Sequence, residues 1–160
     1  MRALLIFVVL IVCAAPSAAQ TDTATLSTSL STLARLSLSA GSVSFPDANP
    51  DAVAQVASSP PTISITAKAR ATQNGTVTLT VQASDDLRSG VTTLPASHIT
   101  WTATGAGFAG GTLNATTPQT VATWSGSGVR SGTQSFFFRN LWSHPTGTYT
   151  LTLLFTLSAA

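Results

Sequence analysis

Apolar and polar residues alternate along most of the chain between positions 62 and 157. A period of two is typical of a β-strand that buries one face and exposes the other. The clearest example lies at positions 148–157, after Gly147, where apolar residues alternate mainly with threonines. The alternation predicts an inward-facing set that consists of Ile63, Ile65, Val77, Leu79, Val81, Trp101, Phe136, Phe138, Tyr149, Leu151, Leu153 and Phe155.

Turn-forming residues divide these runs at short intervals. Asn74-Gly75 lies between two alternating runs and predicts a β-hairpin, because both residues tolerate a positive φ. Two short strands, around Leu36 to Leu38 and Val43 to Phe45, are predicted on either side of Gly41. Residues 47–61 are rich in Pro and Ala and predict a connection between two sheets. Together these features predict an all-β fold, a single immunoglobulin-like antiparallel β-sandwich.

Composition supports that fold and excludes one class of partner. Only 8% of the 160 residues are charged, the formal net charge is +2, and the chain contains one Lys and no Glu. Good helix formers are therefore scarce, whereas Thr and Val, which favour strands, are frequent. Nucleic-acid binding needs a dense basic surface, which seven scattered Lys and Arg residues do not provide.

The first residues predict a secretory signal peptide over 1–19. Arg2 precedes an apolar run, and the small residues Ser17 and Ala19 predict cleavage before Gln20. The alternatives are an uncleaved membrane anchor and lipid attachment at Cys13. Cleavage would remove the only cysteine and leave no membrane span. We therefore expect a bacterial protein that is secreted, periplasmic or at the cell surface, with the β-sandwich domain over 35–160.

Residues 20–34 predict an extended N-terminal arm or edge strand. Leu26, Leu30 and Leu33 would also fit a helical stripe, but the intervening Ser and Thr residues are poor helix formers. The arm holds one acid, Asp22, and no Lys, so little in it repels a neighbouring strand. Two arrangements remain open, because residues 21–33 can pair within their own sandwich or with the sheet edge of another chain.

A few polar residues are candidates for a metal site or a catalytic site. Asp47, Asn49 and Asp51 resemble the opening of a calcium loop, but the Gly and Glu that complete such a loop are missing, so a solvated turn is the favoured interpretation. The two histidines, His98 and His144, lack a recognisable nucleophile motif. We therefore predict no enzyme activity, no catalytic or metal-binding residues and no cofactor.

Three tryptophans leave a carbohydrate-binding module as the alternative function. Exposed aromatic rings can stack on sugars. Trp101 alternates in phase with Ile99 and is predicted to lie in the core, whereas Trp124 and Trp142 lie beside turns and can be exposed.

Two stretches resemble bacterial exported surface modules. One runs over residues 79–90 and continues at Ile99-Thr100-Trp101; the other is 147–152 running into 155–157. The second is similar to the closing strand of spore-coat-U-like pilus subunits and WxL-type wall-associated domains. The chain lacks the cysteines common in pilus subunits and has no Trp-x-Leu pair of the wall-binding kind. The resemblance implies a non-catalytic structural or adhesion role, with a protein partner or self-association through sheet edges.

Overall fold

Eleven short strands make up most of residues 24–160, the part of the chain that the computed structural model describes. The predicted signal peptide and cleavage site lie outside these residues. The only helical element described is a 3-10 turn at Ala96–His98. The strands are β1 Leu33–Leu38, β2 Gln55–Ala57, β3 Ile63–Arg70, β4 Thr76–Ala83, β5 Leu87–Ser89, β6 Thr92–Leu94, β7 Ile99–Thr104, β8 Gly111–Thr112, β9 Gln119–Ser125, β10 Gly128–Arg139 and β11 Leu153–Ala159.

The strands form two main sheets that pack face to face. The large sheet has the order β1-β3-β10-β7-β8, with β2 also pairing with β10, and the small sheet has the order β11-β4-β9. A two-stranded hairpin, β5-β6, accompanies them. Every strand pairing described is antiparallel. The structure therefore confirms the prediction of an all-β fold and a β-sandwich.

The core forms where the alternating apolar faces of the two sheets meet. Seven of the twelve predicted inward-facing residues belong to one buried cluster: they are Ile63, Ile65, Val77, Leu79, Val81, Trp101 and Phe136. The other predicted residues, Phe138, Tyr149, Leu151, Leu153 and Phe155, pack against this cluster but are only partly buried. The strand pattern thus identified the inner faces, but one part of the inner face is not covered.

The hairpin predicted at Asn74-Gly75 is wrong. β3 pairs with β1 and β10, while β4 pairs with β11 and β9, so the turn connects two sheets. Gly75 lies against the backbone of Ala160, and its amide donates to the Thr72 carbonyl at 3.1 Å. Two strands with one apolar face each can pair side by side or face each other across a core, and alternation alone fits both arrangements.

Two further boundaries differ from the predictions. Residues 47–61 were expected to connect two sheets, but they contain β2 and join β1 to β3 within the large sheet. The predicted strand at 148–157 pairs regularly only from Leu153, and before that a single bridge joins Thr150 to Arg88. β9 was not predicted, because its burial does not follow strict alternation: Val121 and Ala122 are consecutive buried residues beside a register shift in β4.

Candidate functional site

On one side of the sandwich two sheet edges face each other; they approach over part of their length and are separated by a cleft at residues 38–45 and 149–155. β1 is the outer strand of the large sheet and pairs only with β3, and β11 is the outer strand of the small sheet and pairs only with β4. Nothing within residues 24–160 pairs with the outer edge of either strand. The backbone N–H and C=O groups along both edges are therefore available to a further strand.

An apolar cleft with a volume of about 1470 Å³ lies between these edges. Residues 38–45 form one wall, residues 149–155 form the other, and core side chains such as Ile63, Ile99 and Phe136 form the floor. Typical pockets for small molecules measure roughly 300–1,000 Å³. The cleft is larger than such a pocket, and its long walls suit an extended segment of polypeptide.

The sequence of β11 produces the exposed wall of this cleft. Leu153 and Phe155 point toward the cleft and are partly buried, while the outward-facing Leu154 is 62% exposed. Before the strand, the Tyr149 hydroxyl donates to the Pro145 carbonyl at 3.0 Å and fixes the bend that leads into the wall. Three large apolar side chains in succession thus remain open to solvent on a strand without any charged residue.

Side-chain hydrogen bonds close the cleft at one end. The Asn140 amide nitrogen donates to the carbonyl oxygens of Ala48 and Val53, at 2.9 and 3.1 Å. Beside it, the Trp142 indole nitrogen donates to Asp51 Oδ1 at 3.0 Å. These bonds attach the loop at 48–53 to the segment that follows β10.

The residues that resembled a calcium loop form an Asx turn instead of converging. Asn49 Oδ1 accepts from the Asp51 amide at 2.9 Å, and the Asn49 carbonyl accepts from the amides of Ala52 and Val53. Asp51 is bonded to Trp142 as described above, and no hydrogen bond of Asp47 to this turn is found. Over residues 24–160 the structure assembles no group of three His, Cys, Asp or Glu side chains at metal-binding distances.

The two histidines, far apart in sequence, lie together at the cleft. The rings of His98 and His144 are stacked with their centroids 4.9 Å apart, and His144 also contacts the ring of Phe138 at 5.5 Å. Burial lowers the pKa of His98 below its ordinary value of 6.5; the Arg139 charge lowers it further, and Asp86 acts in the opposite direction. Burial also lowers the pKa of His144, with the charges of His98 and Arg139 as additional causes.

The tryptophans separate into buried and exposed residues. Trp101 is buried, as predicted, and its indole nitrogen donates to the Ala109 carbonyl at 2.9 Å. Trp124, which was considered for sugar stacking, is only 8% exposed and lies 6.0 Å from the guanidinium of Arg130. Trp142 is 70% exposed. Trp124 and Trp142 therefore do not form the pair of exposed rings on which the alternative of a carbohydrate-binding module depends.

The described part of the arm, residues 24–32, is exposed and lies outside every strand. Leu26 is 93% exposed and Leu30 is 70% exposed. From Leu33 the chain enters β1 and pairs with β3. The arm therefore presents leucines to solvent at one end of the molecule, while the cleft presents an uncovered apolar surface elsewhere.

Sequence reasoning missed both the cleft and the histidine pair. The inner-face pattern of β11 was identified, but alternation does not tell whether a facing strand covers it.

Comparison with known proteins adds no further assignment: no protein-family model matches the chain, and no curated protein matches it as a relative. In the described residues, no helix is long and apolar enough to cross a membrane.

Proposed function

We propose that this protein is a non-catalytic structural or adhesion protein of the bacterial surface or periplasm, which assembles by strand-edge association. The N-terminal arm of one chain adds as an extra strand in the cleft of a second copy. The observation that carries this proposal is the apolar cleft between two unpaired sheet edges. An extended segment that enters it would gain backbone hydrogen bonds from an edge and apolar contacts from the floor.

The arm has the length and the pattern that such an interaction needs. Residues 24–32 span about 30 Å when extended, at roughly 3.3 Å per residue. In an extended chain Leu26, Thr28 and Leu30 lie on one face, and Ser27 and Ser29 lie on the other. One face can therefore pack into the cleft while the hydroxyl face remains in water.

Charge does not oppose the contact. Residues 24–32 and β11 carry no charged side chain. Sheet edges in monomeric proteins are commonly protected by charged residues, especially Lys. The single Lys of the chain, Lys68, lies on β3. Of the two open edges, β1 carries Arg35 and β11 carries no charged residue, so β11 is the edge that accepts the arm.

The direction of the arm favours a second chain as the acceptor. Leu33, where the arm ends, pairs with Arg70, whereas the cleft wall begins at Leu38, at the opposite end of β1. The arm thus leaves the molecule away from its own cleft. Contact between the arm of one copy and the cleft of another is head-to-tail, and such contacts form rings or open filaments.

Two matched arm variants test the proposal by light scattering of the mature protein over a range of concentrations. Leu30→Asp places a charge on the apolar face of the arm, and Ser29→Asp places the same charge on the other face. We expect the wild type and Ser29→Asp to form oligomers and Leu30→Asp to remain monomeric. Wild-type protein that stays monomeric at every concentration, or equal association of both variants, contradicts the proposal.

A further inference from the structure

Besides the walls at residues 38–45 and 149–155, the cleft has an end wall at residues 141–147, which is held by ring contacts as well as by the hydrogen bonds of Trp142 and Pro145. His144 lies in this wall and stacks on His98, which ends the 3-10 turn before β7. His144 also contacts Phe138, and Phe138 contacts Phe45 on the opposite wall at 5.8 Å. These ring contacts therefore join the end wall to the wall at residues 38–45 through residues of four different segments.

The ring nitrogens in this stack are poorly placed to carry a charge. Nδ1 of His98 and both ring nitrogens of His144 are shielded from solvent and have no hydrogen-bond partner within residues 24–160. A neutral imidazole tolerates this surrounding, but a protonated one requires solvent or a hydrogen-bond acceptor. Two stacked imidazolium rings would also repel each other.

The charged groups around the stack do not compensate for protonation. Arg139, on β10, is a cation that acts on both histidines. Asp86, on the loop before β5, is the carboxylate that acts on His98, and its Oδ1 already accepts from the Ala96 amide at 2.8 Å. The segment 141–147 contains no charged side chain apart from its histidine; the carboxylate of Asp51, on the loop at 48–53, accepts from the Trp142 indole nitrogen of this segment.

We propose that the His98–His144 stack is an acid-sensitive latch, which holds residues 141–147 as a wall of the cleft at neutral pH and releases them when the rings are protonated. The latch is a property of a single chain; its effect on assembly rests on the proposed function. In that case acid removes a wall against which the arm packs, so assembly is strongest at neutral pH and weakens below it.

The direction of the pH dependence follows from the lowered pKa of each histidine. The released segment binds protons with an ordinary pKa near 6.5, while the latched state resists protonation. The latch is therefore fully formed above that value. Its stability falls as the pH drops through 6.5 toward the lower pKa values of the latched state.

Amide hydrogen exchange of the mature chain, followed by mass spectrometry, tests the latch. The Leu30→Asp background keeps every sample monomeric, so the result does not depend on assembly. Between about pH 7.5 and about pH 5, and after correction for the intrinsic pH dependence of exchange, protection of the His144 amide, which donates to the Leu141 carbonyl at 3.1 Å, should fall about tenfold. Protection of β4 should change much less, since it lies in the buried core.

Substitutions separate the histidines from other acid-sensitive groups. His144→Phe keeps a ring in the stack and leaves His98 as its single titrating group, so the pH dependence of exchange at 141–147 should be much smaller than in the parent. His144→Gln serves as a second non-titrating variant. Asp51→Asn, which removes the carboxylate bound by Trp142, should retain the wild-type pH response. An unchanged response in His144→Phe and His144→Gln, or equal loss of protection in β4, overturns the proposal.

The same variants show whether the latch controls assembly. In the wild-type arm background, acid should dissociate oligomers of the parent protein and should dissociate those of His144→Phe much less. Acid-resistant oligomers of the parent would refute the link to assembly even when the exchange result supports the latch. If the parent protein is monomeric at every pH, the proposed function is wrong. The latch within a single chain is then tested by the hydrogen-exchange result alone.

Discussion

The two sheets meet at two sides of the sandwich, one at β8 and β9 and the other at β1 and β11, and only the first is closed by a chain segment. On the β8–β9 side, the Leu113 amide donates to the Ile99 carbonyl at 2.9 Å and the Ala109 amide to the Val121 carbonyl at 2.8 Å. Leu113 and Val121 are consequently buried. On the β1–β11 side the two strands approach each other, but no hydrogen bond between them is described, and Leu153 stays partly exposed. An apolar inner face thus becomes core only where a chain segment closes the edge.

The largest expected effect contrasts the buried centre with the open wall. Leu79 is fully buried in β4, and Leu79→Ala should lower the free energy of unfolding by about 2–5 kcal/mol because it leaves a cavity. Leu153→Ala removes the same atoms from a site that solvent already reaches. It should cost clearly less, about 1 kcal/mol in monomeric protein. Reversible denaturant unfolding in the Leu30→Asp background measures both values, and equal costs would mean that the cleft is closed in solution.

The second prediction tests the packing of the closed side. A Cβ added at Gly111 would lie 2.6 Å from two ring atoms of the buried Trp101, too close for any side chain without movement of the ring. Gly111→Ala should therefore destabilise the protein by about 1–3 kcal/mol. Gly41→Ala is the matched control, because nothing lies within 4 Å of its added Cβ. If thermal unfolding shows the same change for both, the closed side is packed more loosely than described.

A smaller effect is expected from the polar residue in the centre of the core. Gln134 is fully buried on β10, and neither its amide oxygen nor its amide nitrogen has a partner within residues 24–160. Gln134→Met keeps the shape and removes the buried amide, so it should stabilise the protein by about 1 kcal/mol. Gln82→Met is the control, since Gln82 donates to the Ala115 carbonyl at 3.0 Å. That control should be destabilised, and stabilisation of both variants would contradict the account.

The smallest effect is expected at the exposed ion pair near β5. Arg88 Nε and Asp85 Oδ2 are 2.6 Å apart, and this hydrogen bond lowers the pKa of Asp85 from its ordinary value of 3.8. Any stabilisation would be present above that value and lost as the pH falls below it, but solvent screens both groups. Asp85→Asn should therefore leave the thermal midpoint at neutral pH unchanged within measurement error. A clear decrease would show that the pair positions Arg88 for its backbone contacts with Thr150.

Sequence patterns predicted the faces of the strands better than their partners. The alternation in β3 and β4 correctly placed Ile65 and Leu79 in the core. It did not show that these strands belong to different sheets, because side-by-side and face-to-face packing bury the same positions. It likewise could not show that Phe155 lines a cleft, because exposure depends on a neighbouring strand that the local sequence does not encode.

The histidine pair could not be predicted from the sequence either, because it also depends on how distant segments pack. His98 and His144 lie 46 positions apart in sequence, and neither belongs to a motif. They meet because the 3-10 turn before β7 and the segment after β10 reach the same end of the sandwich. The arm is the opposite case, since the hydroxyl-rich sequence around Leu26 and Leu30 predicted an extended segment, and the structure describes residues 24–32 without helix.

Disulfide trapping tests whether the arm of one copy enters the cleft of another. The sequence contains no cysteine after residue 19, so a mature protein that begins there can carry two engineered thiols without interference. Leu30→Cys combined with Leu153→Cys places one thiol on the arm and one in the cleft; Leu30→Cys combined with Leu154→Cys places the second thiol on the outward face. Under mild oxidation the account predicts a ladder of covalent oligomers linked between positions 30 and 153, and much less linkage between 30 and 154. Equal linkage of the two pairs, or a 30–153 bond formed only within single chains, would contradict it.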